Sequence, residues 1–172
     1  MTPAERAREA RKLVEEAAAR ILMATRRFAG PRFTVPLRDG LAPSQRALRW
    51  CLLAEGAAAA IGAAAPRAAA SGAGARLRFA WGRLTDRWPA DPAWERSVDD
   101  GGVLASEESL RLRIGAASAA FLARLEREAA DGFPRRARHA AFGALDAADW
   151  AEALLIYAAD AERRLLRAAS GA

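Results

Sequence analysis

Among its 172 residues the chain has one cysteine, one histidine, one lysine and one tyrosine. A lone cysteine, Cys51, excludes an intramolecular disulfide and a cluster of thiolate ligands. It sits beside Leu52 and Leu53 in a helical stretch, which predicts a small buried thiol. A lone histidine, His139, excludes a ferritin-like di-metal site, which needs a Glu and a His three residues on from each of two helices. Valine and isoleucine are scarce, which argues against a sheet. No Gly-rich loop leads into a helix through Lys-Ser or Lys-Thr, so that phosphate cradle is missing. The longest apolar run, Gly56 to Pro66, is Ala-Gly rich and too short to span a bilayer. The first residues, MTPAERAREARK, are polar and lack the apolar stretch of a signal peptide. These absences predict a cytoplasmic protein with no membrane partner, catalytic residues, metal or cofactor.

What is present is alanine, arginine and leucine at helical spacing. Apolar residues make up 52% of the chain, much of it alanine. Alanine buries little area, so the core must rest on a limited set of Leu, Ile, Phe and Trp. A chain of this length fits a single helical domain, residues 1–172, and can bury a core without staples. Alanine is also the strongest helix former. The expected fold is all-α, a compact bundle of about five helices.

The first helix is expected from Pro3 to about Phe28, with Thr2 as N-cap and Glu5 completing a capping box. Val14, Ala17, Ile21, Ala24 and Phe28 share its inner face. Gly30-Pro31 ends it. Residues 30–50, GPRFTVPLRDGLAPSQRALRW, interrupt the pattern with two prolines, a stiff connector that holds Arg32 and Arg38 beside Arg26 and Arg27. Ser44 is expected to cap a second helix toward Ile61, and residues 66–74 form a connector. A third helix, Ala75 to Trp88, places Leu77, Trp81, Leu84 and Trp88 on one stripe, expected to face the core, with Arg76, Arg83 and Arg87 on its flank. A loop carrying Trp94 and an Asp99-Asp100 turn follows. Ser106 starts a fourth helix to about Asp131 with Leu110, Ile114, Phe121 and Leu125 inward. A short helical turn is expected over Pro134 to Phe142. Asp146 caps a last helix with Trp150, Leu154, Tyr157, Ala161 and Leu165 inward and Arg163, Arg164 and Arg167 near its end, where cations complement the helix dipole.

The net charge is +6 and the pI about 11.0, and nearly every cation is an arginine. Preference for arginine over lysine is compositional, but an excess over carboxylates suits a surface that binds phosphates through the guanidinium fork. Arginines recur at Arg26-Arg27, Arg76/Arg78, Arg111/Arg113, Arg135-Arg136/Arg138 and Arg163-Arg164, several with aromatics nearby. Basic groups interleaved with aromatics fit single-stranded nucleic acid, RNA or DNA. Some arginines have an ordinary use, as in the pairs Arg124 with Glu128 and Arg163 with Asp160. The strongest departures are Arg26, Arg27, Arg32 and Arg38, and Arg135, Arg136 and Arg138. With Arg76, Arg83 and Arg87 they are the expected nucleic-acid contacts. Two alternatives stand beside this reading. An exposed tryptophan such as Trp94 could dock a partner protein. His139, within RRARHAAFGAL, could serve a phosphotransfer bundle if it is exposed in mid-helix.

The order of features resembles a known family. RAREARKLVEEAAARIL is followed by TVPLRDGL and then SQRALRWCLL, and later by EESLRLRIGAASAAFLARLEREA. In this the chain is similar to the small all-helical subunits of CRISPR RNA-guided effector complexes, particularly the type III kind, across the first fifty residues and residues 106–131. The resemblance implies a non-catalytic role in antiviral defence, inside a multisubunit ribonucleoprotein. Its arginines would hold guide or target backbone without reading sequence, and other protein subunits would be its neighbours.

Overall fold

The computed structural model describes residues 1–28, 30–66, 71–89 and 106–170. Among them run five α-helices: α1 (Pro3–Thr25), α2 (Pro43–Ala63), α3 (Ala73–Thr85), α4 (Glu107–Ala130) and α5 (Ala147–Ala169). Between α4 and α5 a hairpin joins β1 (Ala137–His139) to β2 (Gly143–Leu145). The fold is an all-α bundle with this one small ribbon.

Local chemistry sets the helix starts. Thr2 Oγ1 accepts from the Glu5 amide at 3.2 Å and Glu5 Oε2 accepts from the Thr2 amide at 2.7 Å, a complete capping box. Asp146 accepts from the amides of Ala148 and Asp149 at 3.0 and 3.1 Å and so caps α5. Ser106 accepts from the Ser109 amide at the start of α4. Ser44, however, does not cap α2. Pro43 takes the first helical position, where its fixed φ fits and its missing N–H is no loss, and Ser44 is buried in the first turn. Ala42 precedes the helix, and its amide donates to Gln45 Oε1 at 2.8 Å.

Cross-helix pairs fix the directions of the four long helices. Arg6 meets Asp146 and Asp149, and Arg20 meets Glu162, so α1 and α5 run parallel. Arg11 pairs with Glu126 and Arg26 with Glu107, so α4 runs antiparallel to α1. The Trp50 indole N–H donates to the Leu154 carbonyl at 3.2 Å, and the Tyr157 hydroxyl to the Arg46 carbonyl at 3.0 Å, so α2 is antiparallel to α5. The expected inner faces of α1, α4 and α5 are all buried, Val14, Ile21, Phe121, Leu125 and Leu154 among them. Trp50, Phe121 and Phe142 are the largest fully buried apolar side chains in the shared core.

Two further expectations are corrected. Residues 137–145 form the hairpin, not a helical turn. His139 Nδ1 accepts from the amides of Ala141 and Phe142 at 3.1 and 3.2 Å and closes the bend. Gly143 holds φ +80, and a side chain there would run into Ser71, whose hydroxyl bonds both backbone groups of Ala144. The stripe on α3 is the second correction. Leu77, Trp81 and Leu84 are 72%, 64% and 81% exposed. The side of α3 that meets the core carries Phe79 and Gly82, against Phe142 and Ile156. Only the last member of the expected stripe, Trp88, is buried, and it lies beyond the helix end.

Trp50→Ala removes a fully buried ring and is expected to destabilise the fold by about 3–5 kcal/mol; urea denaturation followed by circular dichroism measures this. Cys51 is buried, and burial pushes its thiol up to about 12. It stays protonated at pH 8, so iodoacetamide is expected to alkylate it in urea but not in the native protein, as read by mass spectrometry.

Candidate anion-binding cleft

In the two arginine patches expected from the sequence, Arg26 and Arg135 meet carboxylates and Arg32 lies over an aromatic ring. Arg26 Nε lies 3.4 Å from Glu107, and Arg32 sits over the Phe28 ring at 5.7 Å from its centroid. Arg27 and Arg38 are exposed and have no carboxylate partner among the described residues. In the second patch Arg135 bonds the buried Glu128 at 3.1 Å and approaches Asp131, so its charge is taken up. Arg136 and Arg138 are exposed, the latter on the outer face of the hairpin. On α3, Arg83 pairs with Glu152 at 3.1 Å and Arg76 is exposed. Of the ten expected contacts, Arg87 lies in a basic cleft.

That cleft forms where the end of α3 meets the last turns of α5. Asp160, Arg163, Arg164 and Arg167 follow the i, i+3, i+4, i+7 spacing and share one helix face. Past α3 the chain turns at Asp86, held at φ 50, which brings Arg87 and Trp88 to the same place. The six residues line a cleft of about 340 Å³, with four guanidinium groups against one carboxylate. Trp88 and Tyr157 meet in a T-shaped pair, 5.3 Å between ring centroids, and Trp88 forms the apolar wall.

The four arginines are not equivalent. Arg163 donates to the carbonyls of Thr85 and Asp86, satisfying exposed acceptors at the end of α3, and so braces that helix. Arg164 Nε donates to Asp160 at 2.7 Å. Arg87 and Arg167 have no carboxylate partner among the described residues and are exposed. A second recess of about 330 Å³ shares Arg163 and Arg167 with the first, but Arg20, Asp86 and Glu162 also line it, so its charge is nearly balanced.

Two buried arginines stand behind it. Arg46 and Arg49, one turn apart on α2, are 4% and 5% exposed. Arg46 pairs with Asp39, yet its Nε has no hydrogen-bond partner among the described residues. Burial pulls the Arg46 guanidinium below its ordinary value; Arg164 and Arg49 pull the same way, while Tyr157 and Asp160 oppose them. Neither Arg46 nor Arg49 was visible as a site in the sequence, because arginine within a helix reads as a solvated face. The Asp160–Arg167 spacing was visible, and the helix dipole accounted for it.

The other constellations point elsewhere. His139 is buried on β1, stacked on Phe142 with 4.6 Å between ring centroids and edge-on to Trp88 and Trp150. It lacks the exposed mid-helix position that phosphotransfer asks for. Among the described residues no group of three His, Cys, Asp or Glu is arranged to hold a metal ion, and no helix is long and apolar enough to cross a membrane. Trp94 and Asp99-Asp100 lie outside the described residues. Compared with protein-family models, curated proteins and solved structures, the chain finds no match.

Arg46→Met is expected to leave stability within about 1 kcal/mol of the parent or to raise it. A buried cation with one unmet donor is exchanged for apolar packing, and its partner Asp39 is exposed to water. Urea denaturation reads the change, and a loss of several kcal/mol would mean that Arg46 holds the fold together.

Proposed function

We propose that the chain is a non-catalytic helical subunit that binds the phosphate backbone of a nucleic acid within a larger assembly. The observation that supports this is the cleft lined by Arg87, Arg163, Arg164 and Arg167 against the single carboxylate Asp160. Guanidinium groups on two elements converge on one volume, which is large enough for a phosphodiester and its sugar. Arg87 and Arg167 supply charge that no described carboxylate takes up, and Arg164 offers the nitrogens it does not spend on Asp160. Trp88 is largely buried in the aromatic core, which leaves little of its ring for a base to stack on. The contacts are therefore to phosphate, which positions a strand without reading its sequence.

The resemblance to small helical subunits of CRISPR effector complexes gives this reading a specific form. The strand would be guide or target, and the neighbours would be other subunits of the ribonucleoprotein. Of the residues expected from sequence, Arg87 stays at the centre. Arg27, Arg38, Arg76, Arg136 and Arg138 remain exposed cations that extend the field around the molecule.

Labelled single-stranded RNA and DNA, followed by anisotropy at two salt concentrations, test the proposal. Affinity is expected to fall steeply with salt, because bound phosphates release counterions. Arg87→Ala/Arg167→Ala is expected to weaken binding by about tenfold or more and to flatten the log–log salt slope by roughly 1.4, two single-strand contacts' worth. An unchanged circular dichroism melt shows that the fold is intact. Binding that is absent at low salt, or untouched by the double substitution, would dismiss the cleft.

A further inference from the structure

We infer that the outer face of α3 docks an acidic amphipathic helix of a partner protein. Leu77, Trp81 and Leu84 are the exposed large apolar residues of α3. Their spacing of four and three is the alternation of a helix–helix seam, where each side chain inserts between residues of the facing helix. At 100° per residue they span an arc of about 60°, centred opposite the Phe79–Gly82 side that meets the core. The side chains that elsewhere build a core are here turned to the outside.

Charge selects the occupant. Arg76 and Arg83 lie on one flank of the stripe and Arg78 on the other, and α3 itself contains no carboxylate. Arg83 is answered by Glu152, and Arg78 bonds the Ala141 carbonyl, which leaves the charges of Arg76 and Arg78 unneutralised. A partner helix with an apolar seam and Glu or Asp beside it meets both features. A second copy of α3 does not, because pairing α3 with itself sets arginine rows against each other. A membrane surface asks for an apolar face wider than about 100°, and this stripe is one side chain wide.

The face is also built to hold its shape. Phe79 packs on Phe142 at 5.1 Å between ring centroids, and Arg163 ties the carbonyls of Thr85 and Asp86 to α5. A helix fixed at its middle and at its C-terminal end offers its seam without a folding cost, which favours docking.

The test uses a fluorescent amphipathic peptide of about 18 residues, long enough to form a helix, with leucine on its seam and glutamate on both flanks. Its counterpart carries lysine in place of glutamate. Anisotropy is expected to show saturable binding of the acidic peptide and none of the basic one. Leu77→Ser/Leu84→Ser is expected to weaken the acidic peptide about tenfold or more with an unchanged circular dichroism melt, since both leucines are exposed. Arg76→Glu is expected to weaken the acidic peptide as well. No saturable binding, or equal binding by the leucine variant, would overturn the inference. So would loss in that variant of binding to phosphatidylglycerol vesicles, of single-stranded RNA binding, or of concentration-dependent self-association, each of which assigns the face to another occupant. The leucine variant keeps Arg87, Arg164 and Arg167, so failure here and failure of the nucleic-acid proposal are read separately.

Discussion

The contact between α1 and α5 is the constraint on which the rest of the molecule is arranged. It is the most extensive helix pair in the structure. Its buried faces are rich in alanine: Ala10, Ala17 and Ala24 on α1, and Ala147, Ala151, Ala158 and Ala161 on α5. Small side chains let two helices run close together, but each removes little apolar area from water. Cohesion therefore falls to a few large groups, Trp50 and Phe121 foremost, and register falls to ion pairs at the seam's edges. Arg6 forks onto Asp146 at 2.8 and 2.9 Å near one end, and Arg20 reaches Glu162 at 3.0 Å near the other. The two pairs, about four turns apart, hold the parallel alignment against sliding.

That alignment also sorts the charge. The first turns of α5 carry Asp146, Asp149 and Glu152, answered by Arg6 and Arg83. Burial raises the carboxyls of Asp149 and Glu152 despite those cations, so the acidic end is enclosed and locally compensated. The other end carries Arg163, Arg164 and Arg167 with Asp160 between them. Cations at a helix C-terminus are favoured by the dipole, so the cluster has a structural reason to exist. What the dipole does not require is Arg87 arriving from another element, or two buried arginines behind the cluster. Part of the chain's surplus positive charge therefore lies where helix electrostatics tolerate it best.

Much of this was legible in the sequence. Thr2, Glu5 and Asp146 announced their caps, and the inner faces of α1, α4 and α5 followed from spacing, because long amphipathic helices carry a strong period. Failures came where tertiary contacts decide. Leu77, Trp81 and Leu84 have perfect helical spacing, and periodicity tells that a stripe exists without telling whether this chain or another covers it. The hairpin was hidden because Ala137–Leu145 has high helix propensity. A histidine ring accepting two amides and a hydroxyl from Ser71, distant in sequence, override it. The candidate site was half legible: Arg87 and the Asp160–Arg167 spacing stood in plain view, but their convergence depends on the turn at Asp86.

α3 then joins two surfaces. Arg163 fixes its end, and the same arginine is part of the cleft wall, while the opposite side of α3 presents its apolar seam. On the two proposals made above, the molecule would act as an adaptor, with a basic face for a strand and an apolar face for a neighbour. Nuclear magnetic resonance of arginine guanidinium N–H groups, recorded while single-stranded RNA is titrated in, tests the central claim most directly. Shifts concentrated at Arg87, Arg164 and Arg167 are the result this account predicts; shifts absent from those three, or confined to Arg27, Arg38, Arg136 and Arg138, would contradict it.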